Sequence, residues 1–106
     1  MSTAKRAAAS KITWSRRALR DLAEIDAYIA LDDPAAAEKW VDRLIDKAHA
    51  AAASPGAGRI VPERAERQVR EVLLRNYRIV CQVRPSGIVV LTVFEGHRAF
   101  PSLDDD

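Results

Sequence analysis

The chain has one cysteine in 106 residues, two histidines, 6% aromatic residues and no lysine after Lys47. Each scarcity excludes something. A lone Cys81 makes neither an internal disulfide nor a cysteine-based zinc site, which fits a reducing, cytoplasmic setting. His49 and His97 do not form a zinc site without converging carboxylates, and the sequence shows none. No apolar run reaches the ~18–20 residues that a membrane span needs. Residues 1–10 lack the hydrophobic centre of a secretory leader and read as a flexible, weakly basic tail; residues 102–106 read as a short acidic one. Gly-rich phosphate loops, nucleophile elbows and metal motifs are also missing, so no cofactor and no metal are expected.

What remains fits one domain, residues 11–101, whose 48% hydrophobic content suffices for one modest core. The formal net charge is only +2, yet it is segregated. Residues 59–84 hold seven Arg against three Glu, whereas residues 85–106 hold one basic and four acidic groups. Such a polarised surface steers a negatively charged partner. Arg also favours bidentate pairing with carboxylate or phosphate, and unlike Lys it does not give up its proton to act as a base.

The apolar spacing parses the chain. Lys11–Trp14 is β-compatible, and Ser15 is a candidate N-cap. Ala18, Leu22, Ile25 and Ile29 mark one face of an amphipathic helix over Arg16 to about Leu31, a stripe widened by Leu19 and Tyr28. Asp33-Pro34 starts a second helix, with a capping carboxylate and a proline where a missing N–H costs little. Its stripe runs through Ala37, Trp40, Val41, Leu44, Ile45 and Ala48 until Ser54-Pro55-Gly56 stops it. So short a connection makes the two helices antiparallel neighbours. Residues 55–68 are expected to be a loop with little structure of its own.

The period then changes. Val69–Leu74 reads as a strand and Arg75-Asn76 as a tight turn. Tyr77, Ile79, Cys81 and Val83 alternate with Arg78, Val80, Gln82 and Arg84, giving one apolar and one mostly polar face. After the turn signal Pro85-Ser86-Gly87, residues 88–94 are almost wholly apolar, as in a strand covered on both faces. The expected fold is α+β, in the order β-α-α-β-β-β: an antiparallel helical hairpin packed on a small, mainly antiparallel, curved sheet.

Two strands end in cationic positions, Arg78 and the Gly96-His97-Arg98 group, which point to a polyanion or an acidic partner. Each residue also has a plainer reading. Arg78 pairs with Glu71 across the hairpin or serves function directly. His97 without a carboxylate or metal partner is thin ground for catalysis. Glu63, near Arg59, Arg64 and Arg67, reads as a surface ion-pair member. Cys81 reads as a small buried hydrophobe. Trp14 and Trp40 read as core or helix–sheet contacts, and His49 as a helix-surface residue.

Together, in order, residues 18–29, Asp33-Pro34, Ser54-Pro55-Gly56, Val61-Pro62-Glu63, Arg70-Glu71, Tyr77-Arg78-Ile79-Val80 and Gly96-His97-Arg98 resemble the ParE branch of the RelE/ParE toxins over residues 12–100. The resemblance implies the toxin of a type II toxin–antitoxin module, associated with plasmid stabilisation and held in a hetero-oligomer with a ParD-like antitoxin. For ParE-like members it implies inhibition of DNA gyrase. For RelE-like members it implies cleavage of mRNA on the ribosome, which needs a base, an acid and cations for the phosphorane. On that alternative the catalytic residues would be Arg78, His97, Arg98 and Glu63, but Phe100 stands near where an ionisable ring is wanted. The gyrase-directed reading is therefore favoured, over the ribonuclease and over a degenerate member that keeps antitoxin binding but has lost toxicity. The antitoxin is expected to contact Trp40, Leu44, Arg70, Arg75, Arg78 and Arg98.

Overall fold

The computed structural model describes residues 11–103. The expected tail over residues 1–10 lies outside them, as do residues 104–106 of the acidic end. Strand β1 (Lys11–Trp14) leads into helix α1 (Arg16–Ala30) and helix α2 (Pro34–Ala53). A 3-10 turn (Pro55–Ala57) and strands β2 (Arg59–Ile60), β3 (Val69–Leu74), β4 (Tyr77–Arg84) and β5 (Gly87–Glu95) follow. The sheet order is β1-β5-β4-β3-β2, parallel between β1 and β5 and antiparallel elsewhere. This is the helical hairpin on a mostly antiparallel sheet that the residue pattern predicts.

Both helix starts are set by side-chain chemistry. Ser15 accepts from the Ala18 N–H at 3.0 Å while its hydroxyl donates to the Leu91 carbonyl at 2.9 Å. One residue therefore caps α1 and ties it to β5. Asp33 accepts from the Ala36 N–H at 3.1 Å, and Pro34 occupies the first turn of α2. The helices cover one sheet face, where Ala18 and Leu22 of α1 and Leu44, Ala48 and Ala52 of α2 meet Ile79, Cys81, Ile88, Val90 and Val93. Alanine at the contact positions lets the helices lie close to the strands. Burial pushes the Cys81 thiol up to about 12, so it carries no thiolate at neutral pH.

The opposite face departs from expectation. It is not mostly polar: Val61, Val69, Val80 and Phe94 form a second small core there, with Leu91 and Phe100 packed against it. The cover includes the segment expected to be a structureless loop. In that segment β2 pairs Arg59 with Glu71 and Ile60 with Arg70, and Val61 is fully buried. The Gln68 carbonyl accepts from the Val83 N–H at 2.7 Å. A two-residue strand with both residues exposed has no periodicity to read, so only its tertiary contacts reveal it.

A register shift lies between Val80 and Cys81: Val80 faces Thr92 but Cys81 faces Val90, leaving Leu91 as an extra residue in β5. The Leu91 carbonyl is the one Ser15 takes. Farther along, β1 has ended, and buried Asp21 of α1 accepts from the Val93 N–H at 3.0 Å and from the Thr92 hydroxyl. Side chains of α1 and its cap thus occupy the β5 margin where no strand pairs with it.

Candidate protein-binding site

Arg78 is the most heavily bonded side chain on the face away from the helices. β4 sets it opposite Phe94, and its guanidinium lies 5.1 Å from that ring and 5.6 Å from Phe100. Its Nε donates to Glu71 Oε1 at 2.7 Å, and its two terminal nitrogens donate to Glu63 at 2.9 and 2.7 Å. Arg59 completes the group by donating to the other Glu71 oxygen. Arg78 is only 9% exposed, and the Glu71 side chain is fully buried. The Glu63 hydrogen bonds hold the Arg78 pKa above its ordinary value. The cross-strand pairing with Glu71 is present, with Glu63 as a second partner from the folded-over segment. This guanidinium is committed to carboxylates; it is not presented as an open phosphate cradle.

The Arg78 hydrogen bond in turn lowers Glu63 from the usual 4.5 to about 2. A carboxylate depressed in the folded state contributes stability above its ordinary pKa and loses that contribution as pH falls through the folded value. The urea midpoint of the protein is therefore expected to gain an acid-side decline between about pH 4.5 and 2 from this group. Glu63→Gln should flatten that part of the curve and lower the neutral-pH midpoint by the same amount, a modest one because the side chain is 42% exposed. Equal slopes in the two proteins would contradict the pairing.

The other residues singled out from sequence separate spatially by role. His97 is exposed in the turn after β5 and has no hydrogen bond or ion pair among the described residues; exposed Arg98 reaches Glu95 at 3.7 Å. Of the four residues of the ribonuclease alternative, contacts join only Arg78 and Glu63, as an ion pair. Arg70 donates to the carbonyls of Arg67, Gly56 and Gly58, bracing the 3-10 turn. Leu44, expected to face the antitoxin, is fully buried beneath α2, where a docking partner does not reach it. Arg78 is nearly as inaccessible. The helix stripe marked Leu44 correctly as apolar, but the apolar side of α2 faces its own sheet.

Trp40 and Arg75 do come together, at the end of the sheet where β3 turns into β4. The Trp40 ring is 5.6 Å from Tyr77, and the guanidiniums of Arg43 and Arg75 lie over it at 5.1 and 5.8 Å. Arg43 was not singled out from sequence, although its place three residues after Trp40 on one helix is a readable signal. Beside this corner an open groove of about 630 Å³ runs between α1 and β5, lined among others by Glu24, Tyr28, Tyr77, Glu95, Arg98 and Phe100. Burial and the nearby Glu95 charge raise the Tyr77 pKa. Tyr28 and Leu31 are 75% and 82% exposed, large apolar side chains left uncovered at the tip of the helical hairpin. Among the described residues no three His, Cys, Asp or Glu side chains converge as metal ligands, and no helix is long and apolar enough to cross a membrane. The arrangement suits protein contact: apolar projections, a groove and cations at its edge.

Comparison with known proteins agrees with this geometry. The profile of the family described as "ParE toxin of type II toxin-antitoxin system, parDE" matches residues 12–100. Y4kP of Sinorhizobium fredii, named as a candidate toxin, is 38% identical over 94 residues, covering 88% of this chain and 95% of its own. A chain of the chromosomal ParDE toxin–antitoxin system from P. aeruginosa superposes with a TM-score of 0.64 at 28% identity, over 80% of this chain and 94% of that one.

Proposed function

The chain belongs to the ParE toxin family of type II toxin–antitoxin systems, and from that premise we propose that it inhibits DNA gyrase by surface binding and is neutralised by a ParD-like antitoxin. The proposed setting is the cytoplasm, where gyrase acts. The observation that carries this reading is the state of Arg78. Its donors already meet Glu71 and Glu63, and Phe94 and Phe100 pack under it, so its charge is balanced from within the fold. A nuclease would need that cation aimed at a scissile phosphate, with an acid and a base beside it. Here the ring beside it is a phenyl, which transfers no proton. Inhibition by binding asks only for complementary surface, which Tyr28, Leu31 and the groove supply. The antitoxin's place in this reading is the same groove and the helical hairpin, with acidic residues meeting the surrounding Arg side chains.

Purified protein added to gyrase should abolish supercoiling of relaxed plasmid, and addition of the antitoxin should restore it. The companion measurement is in-vitro translation with mapping of mRNA ends. Intact supercoiling together with cuts at ribosome-bound codons would sink the proposal and establish the ribonuclease alternative.

A further inference from the structure

The tip of the helical hairpin projects apolar side chains and carboxylates for which the fold has no use. Tyr28 and Leu31 are 75% and 82% exposed, and neither belongs to the apolar clusters that hold the helices on the sheet. Between Arg20 and Lys39 the chain has six Asp or Glu and no cation. Two of them serve the fold: buried Asp21 accepts from Thr92 and Val93, and Asp33 caps α2. Exposed Glu24, Asp26, Asp32 and Glu38 form no ion pair among the described residues. Their placement works against α1. A helix C-terminus favours cations, yet the last turn of α1 has no basic residue and Asp32 follows its cap. Uncovered apolar groups ringed by charges that oppose the helix dipole break the local rules kept at both helix starts.

We propose that this tip is the end of the toxin that enters its target: Tyr28 and Leu31 seat in an apolar pocket of a protein surface, and Lys or Arg side chains bordering that pocket pair with Glu24, Asp26 and Asp32. The proposal rests on the reading above that the protein acts by binding a protein target, and adds which end binds and what chemistry receives it. Large side chains in a desolvated pocket supply most of the affinity of an interface, and tyrosine is enriched at such positions. The carboxylates quicken encounter and select a cationic partner. The same charges repel nucleic acid and acidic peptides alike, so neither is the occupant of the tip.

Two variants of the full chain test it. Tyr28→Ser/Leu31→Asn removes the apolar projections, and Glu24→Gln/Asp26→Asn/Asp32→Asn removes the charges. All of these positions are exposed, so both variants should melt within about 4 °C of the parent. Each should need at least about tenfold more protein to half-inhibit supercoiling by gyrase. A second measurement dispenses with gyrase. The isotopically labelled chain, followed at the Tyr28 and Leu31 amides, is titrated with acetyl-Lys-Leu-Leu-Lys-Leu-Leu-Lys-amide and with its Glu counterpart. The Lys peptide should shift both signals saturably, and at least about tenfold more weakly in either variant or in about 0.5 M salt. The Glu peptide should leave them in place. Inhibition that both variants retain in full would overturn the proposal and leave gyrase inhibition standing. A parent chain that does not inhibit gyrase would overturn the reading of function instead. The titration then decides the tip: no saturable shift up to millimolar Lys peptide, or equal binding of the Glu peptide, would overturn the proposal.

Discussion

Gly87→Ala is expected to destabilise the protein by at least about 3 kcal/mol, enough to lower the melting temperature by more than about 12 °C. The reason is local and severe. A Cβ at position 87 would stand within bonding distance of the Lys11 carbonyl oxygen and 2.7 Å from its carbon, both backbone atoms that no rotamer change moves aside. The φ of 153° is itself one that a side chain disfavours. Relief requires β1 to move off β5. That movement would break the register from Lys11–Gly87 to Trp14–Val90 and the bonds to Val90 and Leu91 that tie the capping Ser15 to β5. Circular dichroism melts of the two proteins decide it. A shift under about 2 °C would mean that β1 is not seated as described.

The second large effect is expected at Arg78. Arg78→Met should cost about 3–5 kcal/mol in urea unfolding, because it leaves the fully buried Glu71 carboxylate with Arg59 as its one remaining partner. Glu71→Leu alone should cost less, because Arg78 loses its Nε partner but keeps both hydrogen bonds to Glu63. The double variant should be far more stable than the two losses added, since packed apolar side chains replace a buried pair at little net cost. Arg59, more than half exposed, is then left to water. Additive losses would show that the pair is not coupled. The double variant also separates fold from function: stable and still inhibitory, it assigns Arg78 to structure; stable and inactive, it gives Arg78 a role at the target.

How much of this was legible follows from the range of each signal. Ser15, Asp33-Pro34 and the apolar steps of both helices are local, and the elements form where they predict. The alternation Tyr77, Ile79, Cys81 was readable for the helix-facing side, but the burial of Val80 was not. Its cover, Val61 and Phe100, arrives from segments with no periodicity of their own. The same holds for the candidate site. Glu71 lies on the neighbouring strand, diagonal to Arg78, and was foreseeable as its partner, whereas Glu63 reaches Arg78 only because residues 61–68 fold over the sheet. Leu44 was misassigned because a stripe says that a helix has an apolar side, not what that side faces.

The treatment of the β5 margin has a consequence for solubility. Leu91 O is held by Ser15, Val93 N–H by Asp21 and the Glu95 carbonyl by the Arg98 N–H, so that flank offers few free main-chain groups to another chain. Edge-to-edge pairing on that side is thereby limited to the four residues of β1, too short a run to hold a growing stack of sheets.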